Sequence, residues 1–135
     1  MKEILFKGKR ITGDEWVEGD FLTFKGRSYI VRRKDGTAFA VIPETVSIYT
    51  GTKDVHGNKI FDKDIVVLTI FDNNGCEYQI IVEIEFYELG MCFTNGYEHF
   101  FSAMLTSPVD TEKYVEIIGN SFDNPELLES GDFDE

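Results

Sequence analysis

The chain has 135 residues and a net charge of −12, with 42% apolar and 14% aromatic residues. That length suits one domain, and the apolar content is enough for a hydrophobic core, which excludes a wholly disordered protein. The excess of acids also disfavours general binding to nucleic acid, because phosphates attract cations.

The acidic charge is confined to one half of the sequence. Residues 1–66 carry 12 Lys and Arg against 10 Asp and Glu, whereas residues 67–135 carry Lys113 alone against 15 acids. An acidic half of this kind suits a basic partner, and it is also typical of a solubilising surface.

No apolar run approaches the roughly 20 residues of a membrane helix, and residues 65–71 form the longest one. The apolar segment at residues 4–6 is short for a secretory signal. We therefore expect no membrane association and a location in the cytoplasm. Cys76 and Cys92 are then expected to stay reduced, and we interpret them as packing residues.

The first third of the chain predicts a β-meander, with short apolar runs at residues 4–6, 16–17 and 21–24 separated by glycines. A hairpin follows. Its strands, residues 28–34 and 37–42, flank Asp35-Gly36, a dipeptide that favours a two-residue type I′ turn. This closure would pair Lys34 with Thr37 and Arg32 with Phe39.

The middle of the chain predicts the core ribbon. Residues 65–71 read as a buried strand and residues 77–87 as a long strand, with a turn at 72–75 between them. Side chains of the long strand alternate between two faces. One face is apolar and begins at Tyr78 and Ile80. The other carries Gln79, Glu83 and Glu85 and is expected to be exposed to solvent.

Two segments predict helices. Residues 98–105 place apolar side chains on one helical stripe, and near the C-terminus Asn124 is an expected N-cap with Pro125 at the first helical position. A last strand is predicted at residues 114–119, and residues 130–135 are predicted to be a mobile acidic tail.

These elements predict a mainly β, α+β fold with one or two short helices. The sheet is expected to be a small barrel-like or strongly bent antiparallel arrangement. We assign residues 1–129 to a single domain, with two small lobes near residues 1–50 and 51–129 as the alternative.

A polar loop is the one metal-site candidate, formed by Asp54, His56 and Asp62. An EF-hand register counted from Asp54 fails, because it places Lys59 and Ile65 where Gly and Glu are needed. A turn in which Asp54 accepts backbone N–H groups explains the same residues. We predict no metal and no cofactor.

Catalytic arrangements find little support. Cys92 and His99 would need to be close together and oriented by a third group, and Cys92 lies in an apolar segment typical of an inert thiol. Glu83, Glu85 and Glu88 follow the spacing of an exposed strand face. We predict no catalytic residues and no enzymatic activity.

A basic cluster could contact nucleic acid. It comprises Arg27, Arg32, Arg33 and Lys34, with Tyr29 and Phe39 available for stacking. These cations alternate across the predicted hairpin and therefore cannot all form one patch. A strand edge protected by charge is the competing interpretation.

Four blocks of sequence resemble the YopX family of phage and prophage proteins. They are residues 2–10, 15–20, 42–66 and 117–128, of which the third contains Tyr49-Thr50-Gly51 and Asp54-Val55-His56-Gly57-Asn58. Two positions depart from the family pattern: Thr52 stands where Leu is usual and Lys63 where Gly is usual. If that glycine has a positive φ, Lys63 must adopt a different conformation or a strained one.

The resemblance implies a phage or prophage origin but no activity, substrate or cofactor. We expect a non-enzymatic accessory protein that acts through protein–protein contacts, either with itself as a homo-oligomer or with a phage or host protein. The first alternative is an acidic inhibitor of a host protein, or a mimic of nucleic acid. The second is nucleic-acid binding through residues 27–34.

Overall fold

The structure, a computed structural model, describes residues 4–87, 90–94, 99–101 and 110–129. The chain divides into two compact units, Met1–Gly51 and Thr52–Glu135. The described residues form mostly antiparallel β-strands with two short helices, which confirms the predicted fold class.

The first unit is an antiparallel sheet. Its strands are β1 (Phe6–Lys9), β2 (Trp16–Phe24), β3 (Arg27–Val31), β4 (Ala38–Ala40) and β5 (Ser47–Lys53), and a 3₁₀ turn lies at Pro43–Thr45. The strand order is β4-β3-β2-β1-β5. Ile30 and Val41 are fully buried, and both contact the position of Gly8, where there is no side chain to separate them.

The hairpin around Asp35-Gly36 is present, but its predicted register is wrong by two residues. Ile30 lies opposite Phe39, and the N–H of Arg32 donates to the carbonyl of Thr37 at 2.8 Å. The loop therefore contains four residues rather than two. The shift is even, so it preserves which side chains share a face of the sheet.

The second unit is built around the predicted core ribbon, which the structure confirms as β7 (Asp64–Phe71) and β8 (Glu77–Tyr87). The remaining elements are β6 (Lys59–Phe61), β9 (Gly90–Thr94), β10 (His99–Phe101), α1 (Thr111–Tyr114), β11 (Val115–Asn120) and α2 (Glu126–Glu129). The main sheet has the order β10-β9-β8-β7-β11.

Both faces of this ribbon carry apolar side chains. Val82 and Ile84 belong to a core cluster that also contains Val66 and Val115. On the opposite face Ile81 is also buried, and Leu127 and Leu128 of α2 pack against its cluster. The prediction that the second face is exposed to solvent was therefore wrong at Ile81, because α2 packs on that face.

The predicted helix at residues 98–105 is wrong over its described part, where residues 99–101 form strand β10. Pairing with β9 explains this result, because an edge of the sheet offers those residues backbone partners. The C-terminal helix is confirmed as α2, and α1 was not predicted. The expected tail at residues 130–135 lies outside the described residues.

Neither sheet closes into a barrel over the residues that the structure describes. A register shift between Ile117 and Gly119 interrupts the pairing of β11 with β7, and irregularities of this kind bend a strand. The bent-sheet form of the prediction is therefore the one that the structure supports. No described helix has both the length and the apolar character needed to cross a membrane.

Candidate functional site

A cleft of about 560 Å³ opens on the first unit. Its lining combines guanidinium groups, aromatic rings and carboxylates, from Arg10, Glu15, Trp16, Val17, Glu18, Arg32 and Phe39. These residues come from the β1–β2 connection, the start of β2, the end of β3 and β4. The cleft is therefore assembled from four neighbouring parts of one sheet.

Two arginines share one aromatic ring in this cleft. The guanidinium carbon of Arg10 lies 4.9 Å from the centroid of the Phe39 ring, and that of Arg32 lies 5.0 Å from it. Contacts of this length are typical of cation–π pairs. An isolated bridge between Arg10 and Val41 brings the end of β1 beside the end of β4, which explains the approach of Arg10 to Phe39.

Each arginine also has a carboxylate partner. Arg10 Nη1 donates to Glu15 Oε1 at 2.7 Å, and Arg32 donates through Nε and Nη2 to both oxygens of Asp35, at 3.1 and 2.6 Å. Hydrogen bonding from Arg32 lowers the pKa of Asp35, and the same contact raises the pKa of Arg32. Both pairs are partly exposed to water.

The predicted basic cluster is not a single patch. Arg32 is in the cleft, whereas Arg33 donates to Asp20 Oδ1 at 2.8 Å and to the carbonyl of Ile4. This pairing lowers the pKa of Asp20. Arg27 begins β3 at the end opposite Arg32, about 16 Å away at roughly 3.3 Å per residue. Lys34 is exposed in the hairpin loop.

Sequence reasoning identified Arg32 and Phe39 but missed Arg10 and Trp16. The missed residues are distant in sequence from the predicted hairpin, and the pairing of β1 with β2 brings them into the same sheet. Their place in the cleft could have been predicted only from the correct strand order. Both residues lie in blocks that resemble the YopX family, at residues 2–10 and 15–20, but that resemblance implies no role for them.

The predicted metal loop is a turn. Asp54 is 1% exposed, and Oδ1 accepts the N–H groups of His56 and Asn58, both at 2.9 Å. Burial opposes its ionisation, but these donors and the N–H of Ile117 outweigh that effect and lower its pKa. His56 Nε2 lies 3.3 Å from Glu116 Oε2, and Asp62 pairs with Lys63.

Over the part of the chain that the structure describes, no group of three or more His, Cys, Asp or Glu side chains is placed to hold a metal ion. Cys76 is exposed and free. Its interpretation as a packing residue was therefore wrong, because it follows a turn rather than lying within a strand. The side chains of Cys92 and His99 lie outside the described residues, as does Glu88.

The pKa of Glu83, on the face predicted to be exposed, is raised. Burial is the largest cause, and the negative charges of Glu85 and Asp62 act in the same direction. A hydrogen bond with Ser121 and the charge of Lys63 oppose the shift without cancelling it. The covering of this face by α2 is consistent with that burial.

A sequence model described as YopX protein matches residues 2–129. The chain belongs to the YopX family. A search of curated proteins found no significant match. Among solved structures, the chain is similar to protein EF1440 from Enterococcus faecalis, with 19% sequence identity and a TM-score of 0.56 over 95% of this chain and 99% of that one. This likeness supports the fold alone.

Lys63 has an unusual backbone conformation. Its φ is 75°, a positive value that non-glycine residues rarely adopt. Its N–H donates to the carbonyl of Ile84 at 2.6 Å, and its carbonyl accepts from Ser121 at 2.8 Å. The lysine therefore adopts the left-handed conformation that glycine adopts without a steric penalty.

Proposed function

We propose that this YopX-family protein is a non-enzymatic phage or prophage accessory protein. It acts in the bacterial cytoplasm through protein–protein contacts, and its first partner is a second copy of itself. One observation carries the proposal: each unit presents a hairpin tip with exposed aromatic side chains, and the two tips have opposite charge.

The basic tip is the β2–β3 hairpin at residues 22–27. Lys25 and Gly26 have φ values of 52° and 77°, the two positive values that a type I′ turn requires. Phe24 precedes them and is 58% exposed, with the Nζ of Lys25 5.4 Å from its ring centroid. With Arg27, this tip carries two positive charges beside exposed apolar surface.

The acidic tip is the β7–β8 hairpin at residues 70–78. Phe71 is 51% exposed, and its ring meets that of Tyr114 edge-on at 5.6 Å. Asp72 orders the turn, because Oδ1 accepts the N–H groups of Asn74 and Cys76, both at 2.9 Å. Together with Glu77, Asp72 gives this tip two negative charges.

Association of a basic tip with the acidic tip of another copy would bury aromatic surface and pair opposite charges. Such a contact is head-to-tail, so it forms rings or open chains rather than a two-fold dimer. Hairpin tips are smaller than a standard interface, so we expect weak and salt-sensitive association.

Charge reversal tests this proposal. Sedimentation and light scattering across micromolar concentrations should show association of the wild type. Arg27→Glu and Glu77→Arg should each give monomers, because each places like charges at the contact. An equimolar mixture of the two variants should associate again, because every tip then meets an opposite charge.

The matched controls are Lys53→Glu and Glu44→Arg, which make the same changes of charge at exposed positions outside both tips. They should associate like the wild type. A monomeric wild type at all concentrations, or a mixture of reversed variants that stays monomeric, would contradict self-association through the tips.

The distribution of charge favours a second candidate, an acidic inhibitor that occupies a basic surface of a host protein. The first unit carries 9 Lys and Arg against 7 Asp and Glu, whereas the second carries 4 against 18. A net charge of −14 on one unit would steer it towards basic surfaces. Capture of a basic host protein that is released by salt would support this role, and its absence would count against it.

A further inference from the structure

We propose that the cleft of the first unit binds a planar aromatic ligand that carries one phosphate or carboxylate group. The proposal concerns a small molecule and does not depend on self-association. It rests on the combination of two guanidinium groups, two aromatic side chains and a cavity of about 560 Å³ in one place. Ligand sites in proteins typically have volumes of roughly 300–1,000 Å³.

The arginines supply recognition of the anion. Guanidinium groups bind carboxylate and phosphate through paired N–H donors, which gives both strength and orientation. The guanidinium carbons of Arg10 and Arg32 lie 4.9 and 5.0 Å from the centroid of the Phe39 ring, and both residues line the cleft. An incoming anion would meet guanidinium donors from the residues that follow β1 and β3.

The present partners of these arginines do not prevent binding. The side chains of Arg10 and Arg32 are 34% and 43% exposed, and those of Glu15 and Asp35 are 68% and 41% exposed. Ion pairs with this exposure contribute little stability, so a ligand anion can replace or share them at small cost. Glu15 and Asp35 hold the guanidinium groups in position until then.

The aromatic side chains supply recognition of a planar group. Trp16 and Phe39 both line the cleft, and both are partly buried. Lys7 Nζ lies 4.9 Å from the centroid of the Trp16 ring, which adds a further cation near the aromatic surface. Offset or edge-to-face packing of a ligand ring against these side chains contributes affinity beyond its buried area.

The carboxylates of the lining restrict the charge of the ligand. Glu15 and Glu18 lie in the same cleft as the two arginines, so the lining is close to neutral overall. A ligand with one anionic group gains from the arginines, whereas a polyphosphate or a long nucleic acid also meets these two acids. We therefore infer a singly substituted ligand, such as a nucleoside monophosphate or an aromatic carboxylate.

Trp16 provides the test, because it is the one tryptophan of the chain. Its fluorescence, excited at the red edge of the indole band, reports on the cleft. Adenosine 5′-monophosphate and benzoate serve as the phosphate and carboxylate probes, and at least one of them should change the fluorescence to saturation. Adenosine lacks the anionic group and inorganic phosphate lacks the aromatic ring. Each should therefore bind at least about tenfold more weakly than adenosine 5′-monophosphate.

Arg32→Gln and Arg10→Gln should each weaken binding of the effective probe by about tenfold or more, since each removes a charged donor. Arg27→Gln is the matched control at the far end of β3, and it should bind like the wild type. Thermal unfolding of each variant shows whether the fold is retained. A double variant with Glu15→Gln and Glu18→Gln should bind adenosine triphosphate more tightly than the wild type does.

Several results would overturn the proposal. One is the absence, with both probes, of a saturable change in fluorescence and of heat in calorimetry. Another is an equal loss of binding affinity in Arg27→Gln and Arg32→Gln. Binding of a single-stranded oligonucleotide without binding of either small probe would identify a nucleic-acid surface instead. Each of these outcomes is independent of whether the hairpin tips associate.

Discussion

Asp54 accepts the backbone N–H of Ile117, 63 positions further along the chain, through Oδ2 at 3.1 Å. The next residue continues the contact, because the N–H of Val55 donates to the carbonyl of Val115 at 3.0 Å. The loop thus satisfies backbone groups of β11, an edge strand of the second sheet. Covering an edge in this way also limits unwanted strand pairing.

Replacing Asp54 by asparagine is expected to destabilise the protein by about 1–3 kcal/mol, because the amide would place a donor against the N–H of Ile117 or leave that donor unsatisfied. Urea unfolding measures the change. Glu116→Gln is the control, since its contact with His56 is exposed and should contribute at most about 1 kcal/mol. Equal stability of Asp54→Asn and the wild type would contradict the role of this carboxylate.

The contacts of Asp54 also predict that the stability of the fold depends on pH. The pKa of Asp54 is lower in the folded state than its usual value near 3.9, so its stabilisation is fully present above that value. It is lost as the pH falls through the lower, folded-state pKa. The difference in stability between the wild type and Asp54→Asn should therefore be largest at neutral pH and shrink in acid.

Glu83 predicts the opposite dependence. Burial raises its pKa, so the ionised form is disfavoured by folding, and this cost appears as the pH rises above the unfolded value near 4.3. Glu83→Gln should therefore raise the melting temperature at pH 7 and leave it nearly unchanged at pH 3. The exposed Glu112→Gln should change neither. A Glu83→Gln variant that is less stable at pH 7 would show that the hydrogen bond with Ser121 outweighs burial.

Much of the second sheet could be predicted from its sequence pattern. The strand predicted at residues 77–87 has the observed bounds of β8, because a long alternating run admits few other structures. The segment at residues 98–105 has helical spacing, yet its described part pairs with β9. Tertiary partners there outweigh local spacing, and a single sequence does not reveal them.

The first unit shows the same limit at Gly19. The sequence pattern predicts a break at this glycine between two short strands, whereas the structure places it inside one strand, β2. The cleft could not be predicted for a related reason, since Arg10 and Trp16 reach the same cleft as Phe39 only through the strand order. Turn residues, in contrast, were readily identified: Asp54 and Gly57 form the turn that their chemistry indicates.

Lys63 predicts a stabilising substitution. A non-glycine residue at a φ of 75° pays a steric cost of about 1–2 kcal/mol, and glycine at this position recovers it at some cost in chain entropy. Lys63→Gly is therefore expected to raise the free energy of unfolding by about 0.5–1 kcal/mol. Lys59→Gly, the same substitution within strand β6, should lower it. Loss of stability in Lys63→Gly would mean that the lysine side chain contributes more than its backbone costs.

A substitution at Gly19 is expected to destabilise the protein. A Cβ at this position would lie 2.0 Å from the carbonyl oxygen of Val31 and 3.2 Å from the Cα of Arg32, and both atoms belong to the backbone of the neighbouring chain segment. Gly19→Ala must therefore push β2 and β3 apart, and we expect a loss of about 1–3 kcal/mol in urea unfolding. Thr23→Ala, at an exposed position of the same strand, should change stability by less than about 1 kcal/mol. Because Gly19 lacks the positive φ of the turn glycines, an alanine tolerated here would show that the two strands separate without cost.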